Sequence, residues 1–211
     1  MNEVRNKRYF FDFNSKLLQE IIEDNSLNDH YDNVKVEGIG DLMKVLLNID
    51  SLRRLGICIY LPADDDTNYS SLKILSSLGV DCGLWIEENM KIKDELFLDL
   101  ASYYYASPAP HARIEPFEYI ISHINDEMNI KPIDLYSSLI GTYNGQASFD
   151  ILLNTYYNHF IELDMCSKCK AFRICCGCLE NNFSECERTM NEVLEYIVIR
   201  TRFYNKNICQ R

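Results

Sequence analysis

Two copies of one short phrase constrain the fold of this chain most. Leu55-Gly56-Ile57 and Leu78-Gly79-Val80 stand 23 residues apart. Each follows a helical pattern and opens an apolar run, Ile57 to Leu61 in the first copy and Val80 to Ile86 in the second. The glycine predicts the stop of each helix, because glycine enters left-handed backbone without a Cβ penalty. A strand, a helix and a second strand within that spacing make a βαβ unit with parallel strands.

The flanking sequence extends the pattern. Arg8 to Phe13 reads as a strand, followed by a helix capped at Asn14 or Ser15 with Leu17, Leu18, Ile21 and Ile22 on one face. Val34 to Val36 reads as a brief strand. Asp41 is expected to cap one amphipathic helix through Leu42, Val45, Leu46, Ile49 and Leu52. Beyond the βαβ unit, a helix is expected over Asp94 to Tyr105, ended by Pro108 and Pro110. A strand over His111 to Phe117 and a short helix through Ile120, Ile121 and Ile124 follow. The fold class is therefore α/β: an open parallel sheet or a partial (β/α) barrel, with too few units for eight. The character changes after Asn125, which divides the chain into 1–125 and a cysteine-rich module at 126–211.

That module carries the chemistry. Six of the nine cysteines lie in the 21 residues from Cys166 to Cys186, reading CSKCKAFRICCGCLENNFSEC. Cys166 and Cys169 form a C-x-x-C pair, whose turn aims two thiolates at one point. Cys175, Cys176, Cys178 and Cys186 offer more ligands a short loop away. Four thiolates suit either Zn²⁺ or a [4Fe–4S] cluster, and the residues alone leave both open. The remaining cysteines on apolar runs, Cys58 and Cys82, read as small core residues.

The net charge of −11 disfavours nucleic-acid binding, which needs clustered Lys and Arg. It is compatible with a basic peptide or protein partner. The start of the chain has no apolar run of signal-peptide length and no segment approaches a membrane span. The expectation is a cytoplasmic protein with no membrane partner, whose clustered thiols are metal ligands and not disulfides.

The spacing Cys166-x2-Cys169-x5-Cys175, then Cys178 and a last Cys186, resembles the SPASM module of radical-SAM enzymes that modify peptides and proteins. The family pattern is C-x2-C-x5-C-x3-C, a gap and a final cysteine; Cys178 falls one residue early for its fourth position. The following ERTMNEVLEYIVI suits the family's closing helix. The resemblance covers roughly the last fifty residues. It implies that Cys166, Cys169, Cys175 and Cys186 hold one [4Fe–4S] cluster, with Cys178 belonging to a second. The family's upstream cysteine pair for that second cluster is missing. Its C-x3-C-x2-C, the ligand set for cleaving S-adenosylmethionine, is missing too. The partial barrel agrees with the fold that the family implies.

Other constellations read more plainly. Asp64, Asp65 and Asp66 follow a predicted strand and could bind Mg²⁺, but a turn and helix cap explain them better. Glu87 and Glu88 have the same standing. His111 in SPAPHARIEP could serve as a general base, yet a single histidine is more often structural. No nucleophile elbow, dinucleotide fingerprint or phosphate loop is present. Catalytic residues stay unassigned. The expected function is an accessory or pseudo-enzyme in maturation of a ribosomally made peptide, binding a precursor peptide or partner enzyme. The alternatives are a small iron–sulfur electron-transfer enzyme and a structural zinc protein with an interaction role.

Overall fold

The computed structural model describes residues 11–12, 34–35, 39–86, 90–125, 157–162, 166–172 and 182–208. The chain divides into two compact units, Met1–Trp85 with Pro110–Ile114, and Ile86–Ala109 with Glu115–Arg211. The expected helix over Leu17 to Ile22, and the residues Glu87, Glu88, Cys175, Cys176 and Cys178, lie outside the described residues.

The first unit is mixed α/β with a small open parallel sheet. Its elements are β1 (Phe11–Asp12), β2 (Val34–Lys35), α1 (Ile39–Leu47), α2 (Ile49–Leu55), β3 (Ile59–Pro62), α3 (Asp66–Ser77) and β4 (Cys82–Trp85). A short β5 (Ile114–Glu115) completes the order β1-β2-β3-β4-β5. The pairs β1–β2, β2–β3 and β3–β4 are parallel. One row runs Phe11, Val34, Ile59, Cys82 across the sheet.

The Leu-Gly repeat sets this register. Gly56 lies at φ 67° and Gly79 at φ 79°. Gly56 N–H donates to Arg53 O (3.3 Å) and Ile57 N–H to Leu52 O (3.1 Å). Gly79 N–H donates to Ser76 O (3.0 Å) and Val80 N–H to Leu75 O (3.0 Å). Both helices thus close in the same Schellman arrangement, with Ile57 over Leu52 and Val80 over Leu75, all four buried. Each glycine stands three residues before its strand, so the repeat brings Ile59 opposite Cys82. A slip of one residue would turn Ile59 and Leu61 out of the core.

Leu52, Leu72 and Leu75 are wholly buried, and α1 lies against α3. Each such side chain contributes about 1.5–3 kcal/mol. Cys58 and Cys82 are buried as expected, and the Cys82 thiol donates to Leu72 O (3.5 Å).

Three details differ from the sequence reading. The single helix expected through Leu42 and Leu52 is two helices. Asn48 lies between them, where its side-chain amide donates to Lys44 O (2.8 Å) and its N–H to Val45 O (3.0 Å). This local bonding competes with the helical ladder. Helix α1 starts at Ile39, so Asp41 falls in its first turn and not at its cap. The strand expected over His111 to Phe117 is confined to Ile114–Glu115. Pro116 has no N–H to donate, and its carbonyl accepts from Ile120 N–H (3.0 Å) as the next helix begins.

The second unit is helical among the described residues. It comprises α4 (Asp94–Ala106), α5 (Phe117–Asn125), a π-helical turn (Tyr157–Glu162) and α6 (Cys186–Ile208). Helix α6 packs along α4 through Met190, Val193 and Ile197, a helical spacing of buried residues. Phe97 is the hub of the aromatic core, 5.0 Å from Phe117 and 4.9 Å edge-on from Phe183, ring centre to ring centre. Tyr104 and Tyr105 pack on Phe117, so the tyrosine run serves the core. Burial raises the Tyr104 phenol well above its ordinary value, and its hydrogen bond to Glu118 adds to that.

Candidate metal centre

The C-x-x-C pair forms a tight turn. Cys169 N–H donates to Cys166 O (3.0 Å), and Phe172 N–H donates to Cys169 O (3.2 Å). Two intervening residues, Ser167 and Lys168, allow that closure, as the spacing predicted. Ala171 and Phe172 behind the turn are buried, which seats it on the helical core. Cys166, Cys169 and Cys186 are half-buried thiols, none joined in a disulfide.

The environment of Cys169 is mixed. Burial pushes its thiol up, and the Glu187 carboxylate acts in the same direction. Hydrogen bonds to the sulfur from the backbone N–H groups of Ala171 and Phe172 oppose both effects and favour the thiolate. A cation bound there would complete the shift, since a ligating thiol is deprotonated.

The third described cysteine of the cluster sits on the element that receives the turn. Cys186 is the first residue of α6. Lys170 N–H donates to Asn191 Oδ1 (3.0 Å), which ties the turn to that helix. The start of α6 is itself locked by a carboxylate from α4. Asp94 accepts from Ser184 N–H (3.1 Å), Ser184 Oγ (2.6 Å), Glu185 N–H (3.1 Å) and Thr189 Oγ1 (2.6 Å). Negative charge is favoured at the positive end of a helix dipole. Burial raises the pKa of Asp94, but the hydrogen bonds from Ser184, Thr189 and Glu185 outweigh it and hold the carboxyl below its ordinary range. Just before, Asn182 Nδ2 donates to Met90 O (2.9 Å), and Ile92 N–H donates to Asn182 O (2.8 Å).

The structure thus brings Cys166 and Cys169 into one turn and docks that turn on the helix opened by Cys186. Among the described residues, no group of three or more His, Cys, Asp or Glu side chains meets at metal-binding range. Cys175 and Cys178, the other expected ligands, lie outside the described residues. The donor set still fits a thiophilic metal in its chemistry: the turn, the half-buried thiols and the N–H groups on sulfur are what a thiolate ligand requires.

The other candidates resolve into structural roles. Asp65 caps α3, accepting from Thr67 N–H (2.9 Å) and Thr67 Oγ1 (2.7 Å). Those bonds lower its pKa. His111 Nδ1 lies 3.2 Å from Ala112 O, and Ala112 O also accepts from Ser76 Oγ (2.7 Å). Arg113 beside it pairs with Asp81 through Nε (2.8 Å) and NH2 (2.5 Å). Asp94, Asn182 and Asn191 escaped the sequence reading. Only one signal pointed near them: Ser184-x-x-Glu187 has the form of a helix-start capping box. In the structure Ser184 turns instead to Asp94, ninety residues away.

Compared with known protein families, with curated proteins and with solved structures, the chain finds no match in any of the three. No helix among the described residues is long and apolar enough to cross a membrane.

Proposed function

We propose that this chain is an accessory protein of peptide maturation that carries one thiolate-bound metal centre in a SPASM-like module at 126–211. Cys166, Cys169, Cys175 and Cys186 would hold a [4Fe–4S] cluster, with Zn²⁺ as the alternative occupant and Cys178 as the remaining candidate ligand. The observation that carries this reading is the C-x-x-C turn docked on the helix that Cys186 opens. The small parallel sheet, read as part of a (β/α) barrel in the segment 1–125, is consistent with it. When bound, such a centre supplies tetrahedral sulfur ligation, and electron transfer as well where it contains iron. The missing C-x3-C-x2-C argues for a pseudo-enzyme that recognises a precursor peptide or supports a partner enzyme in the cytoplasm. The chain's net charge of −11 suits a basic peptide segment and opposes nucleic acid.

The test is purification without oxygen, followed by iron, sulfide and zinc analysis. About four iron atoms with matching sulfide, and a broad visible absorbance, are the expected result. One zinc per chain would retain the centre and shift the reading to a structural zinc protein. Neither metal would end it. Incubation with S-adenosylmethionine and reductant is expected to release no 5′-deoxyadenosine.

A further inference from the structure

The turn that carries Cys166 and Cys169 is tied to α6 by one side chain. Lys170 N–H, the first backbone donor after Cys169, meets Asn191 Oδ1 at 3.0 Å. Asn191 stands one helical turn after Glu187, whose charge bears on the Cys169 thiol. Glu187 is in turn the neighbour of Cys186. The first two turns of α6 therefore present one ligand and the fastening for two others.

We infer that Asn191 is a positioning residue for the thiolate centre: it holds the C-x-x-C turn in register with the helix that carries Cys186. The inference rests on the metal reading given above. A side-chain carbonyl oxygen is the right group for the task, since it accepts one N–H and adds no charge beside the sulfurs. Without it, Lys170 N–H turns to water, because Lys170 is exposed and Asn191 is partly so. The turn keeps its own Cys169-to-Cys166 bond but loses its fixed offset from Cys186. Ligands outside the metal's immediate contacts that set orientation in this way typically govern affinity by about 10–100-fold.

A structural role and a positioning role predict opposite signs here. Alanine is the better helix former, so Asn191→Ala is expected to leave the thermal stability of the metal-free chain unchanged or slightly raised. Its metal affinity should nonetheless fall. The experiment strips the full chain of metal under reductant. It then titrates Zn²⁺ against a chromophoric chelator and Co²⁺ for the sulfur-to-metal charge-transfer band. Asn191→Ala is expected to weaken Zn²⁺ binding by about 10–100-fold and to alter the Co²⁺ band. Asn191→Asp, which offers an oxygen to the same N–H, is expected to recover most of that loss. Should the alanine variant fail to fold, Asn191→Gln keeps the amide and displaces its oxygen by one methylene, and the same weakening is expected. Wild-type affinity in the folded alanine variant, or in the glutamine variant where alanine does not fold, overturns the inference and leaves the metal reading standing. If the wild-type chain binds neither Zn²⁺ nor Co²⁺, the metal reading fails and the inference falls with it.

Discussion

Replacing Asp94 by alanine should loosen the start of α6 more than any other single polar change in the second unit. The carboxylate takes four hydrogen bonds from Ser184, Glu185 and Thr189. Loss of a helix cap costs about 0.5–2 kcal/mol. Thr189 is only 1% exposed, so its hydroxyl loses a partner with little access to water. Stranding such a group costs about 1–3 kcal/mol. These costs overlap because one group serves both, which puts Asp94→Ala at about 2–3 kcal/mol. The urea midpoint of the helical signal should drop by about 1 M. Amide exchange at Ser184 and Glu185 should speed up with it. The pH dependence gives a second check. The folded pKa of Asp94 lies below its ordinary 3.8. The carboxylate's contribution is therefore complete above that ordinary value and is lost as pH falls through the lower, folded one. The gap between wild type and variant should be flat from about pH 5 to 8 and should close below about pH 4. A variant within about 0.5 kcal/mol of wild type at pH 7, with unchanged amide exchange, would refute the trans-cap account.

Other perturbations follow from the same geometry. Gly56→Ala and Gly79→Ala should each cost about 1–2 kcal/mol in the first unit, because both glycines hold positive φ. Gly79→Ala also needs Arg53 to move, since a Cβ there would lie 3.1 Å from its Nε; thermal melts of both variants check this. Asp65→Ala should cost about 0.5–2 kcal/mol by loss of the α3 cap. The folded pKa of Asp65 is also depressed, so urea midpoints should show that difference above the ordinary carboxylate range and lose it in stronger acid. Phe183→Ala should cost about 3–5 kcal/mol, because its ring is buried edge-on against Phe97. A melt within about 1 kcal/mol of wild type would place Phe183 outside the core.

The sheet was legible because its punctuation is local. Gly56 and Gly79 each mark a helix end by a conformation that one residue dictates, and the spacing between them carries straight into the Ile59–Cys82 register. The Asp65 cap and the burial of Cys58 and Cys82 were legible for the same reason: each is decided within a few residues. The division at Asn48 was less so, because the apolar periodicity runs on through it while a single amide side chain diverts the backbone. Pro116 was visible, but its effect in shortening β5 depends on the helix that starts beside it. The second unit was the least legible. Asp94 reads as an ordinary first-turn acid of α4, yet it serves the start of α6. Phe97 finds Phe183 across a similar separation. Long-range pairs of this kind leave no spacing in the sequence.

The same long-range anchors bear on what a metal would contribute. From the cysteine spacing alone, a module with few apolar runs between Cys166 and Cys186 looks dependent on metal for most of its folding energy, on the order of 10 kcal/mol for a structural zinc. The described parts of that stretch are held by other means at both ends. Ala171, Phe172 and the Lys170–Asn191 bond fix one end; Asn182, Phe183 and the Asp94 carboxylate fix the other. Ordering a residue costs about 1–2 kcal/mol. A turn of about seven residues held by packing therefore spares a bound metal roughly 10 kcal/mol of ordering by the same measure. On that arithmetic the proposed centre acts on a scaffold that is largely assembled. Cys166→Ser should then abolish metal binding while leaving α6 packed on α4. A binding site arranged in advance commits its metal–sulfur free energy to affinity and less of it to folding.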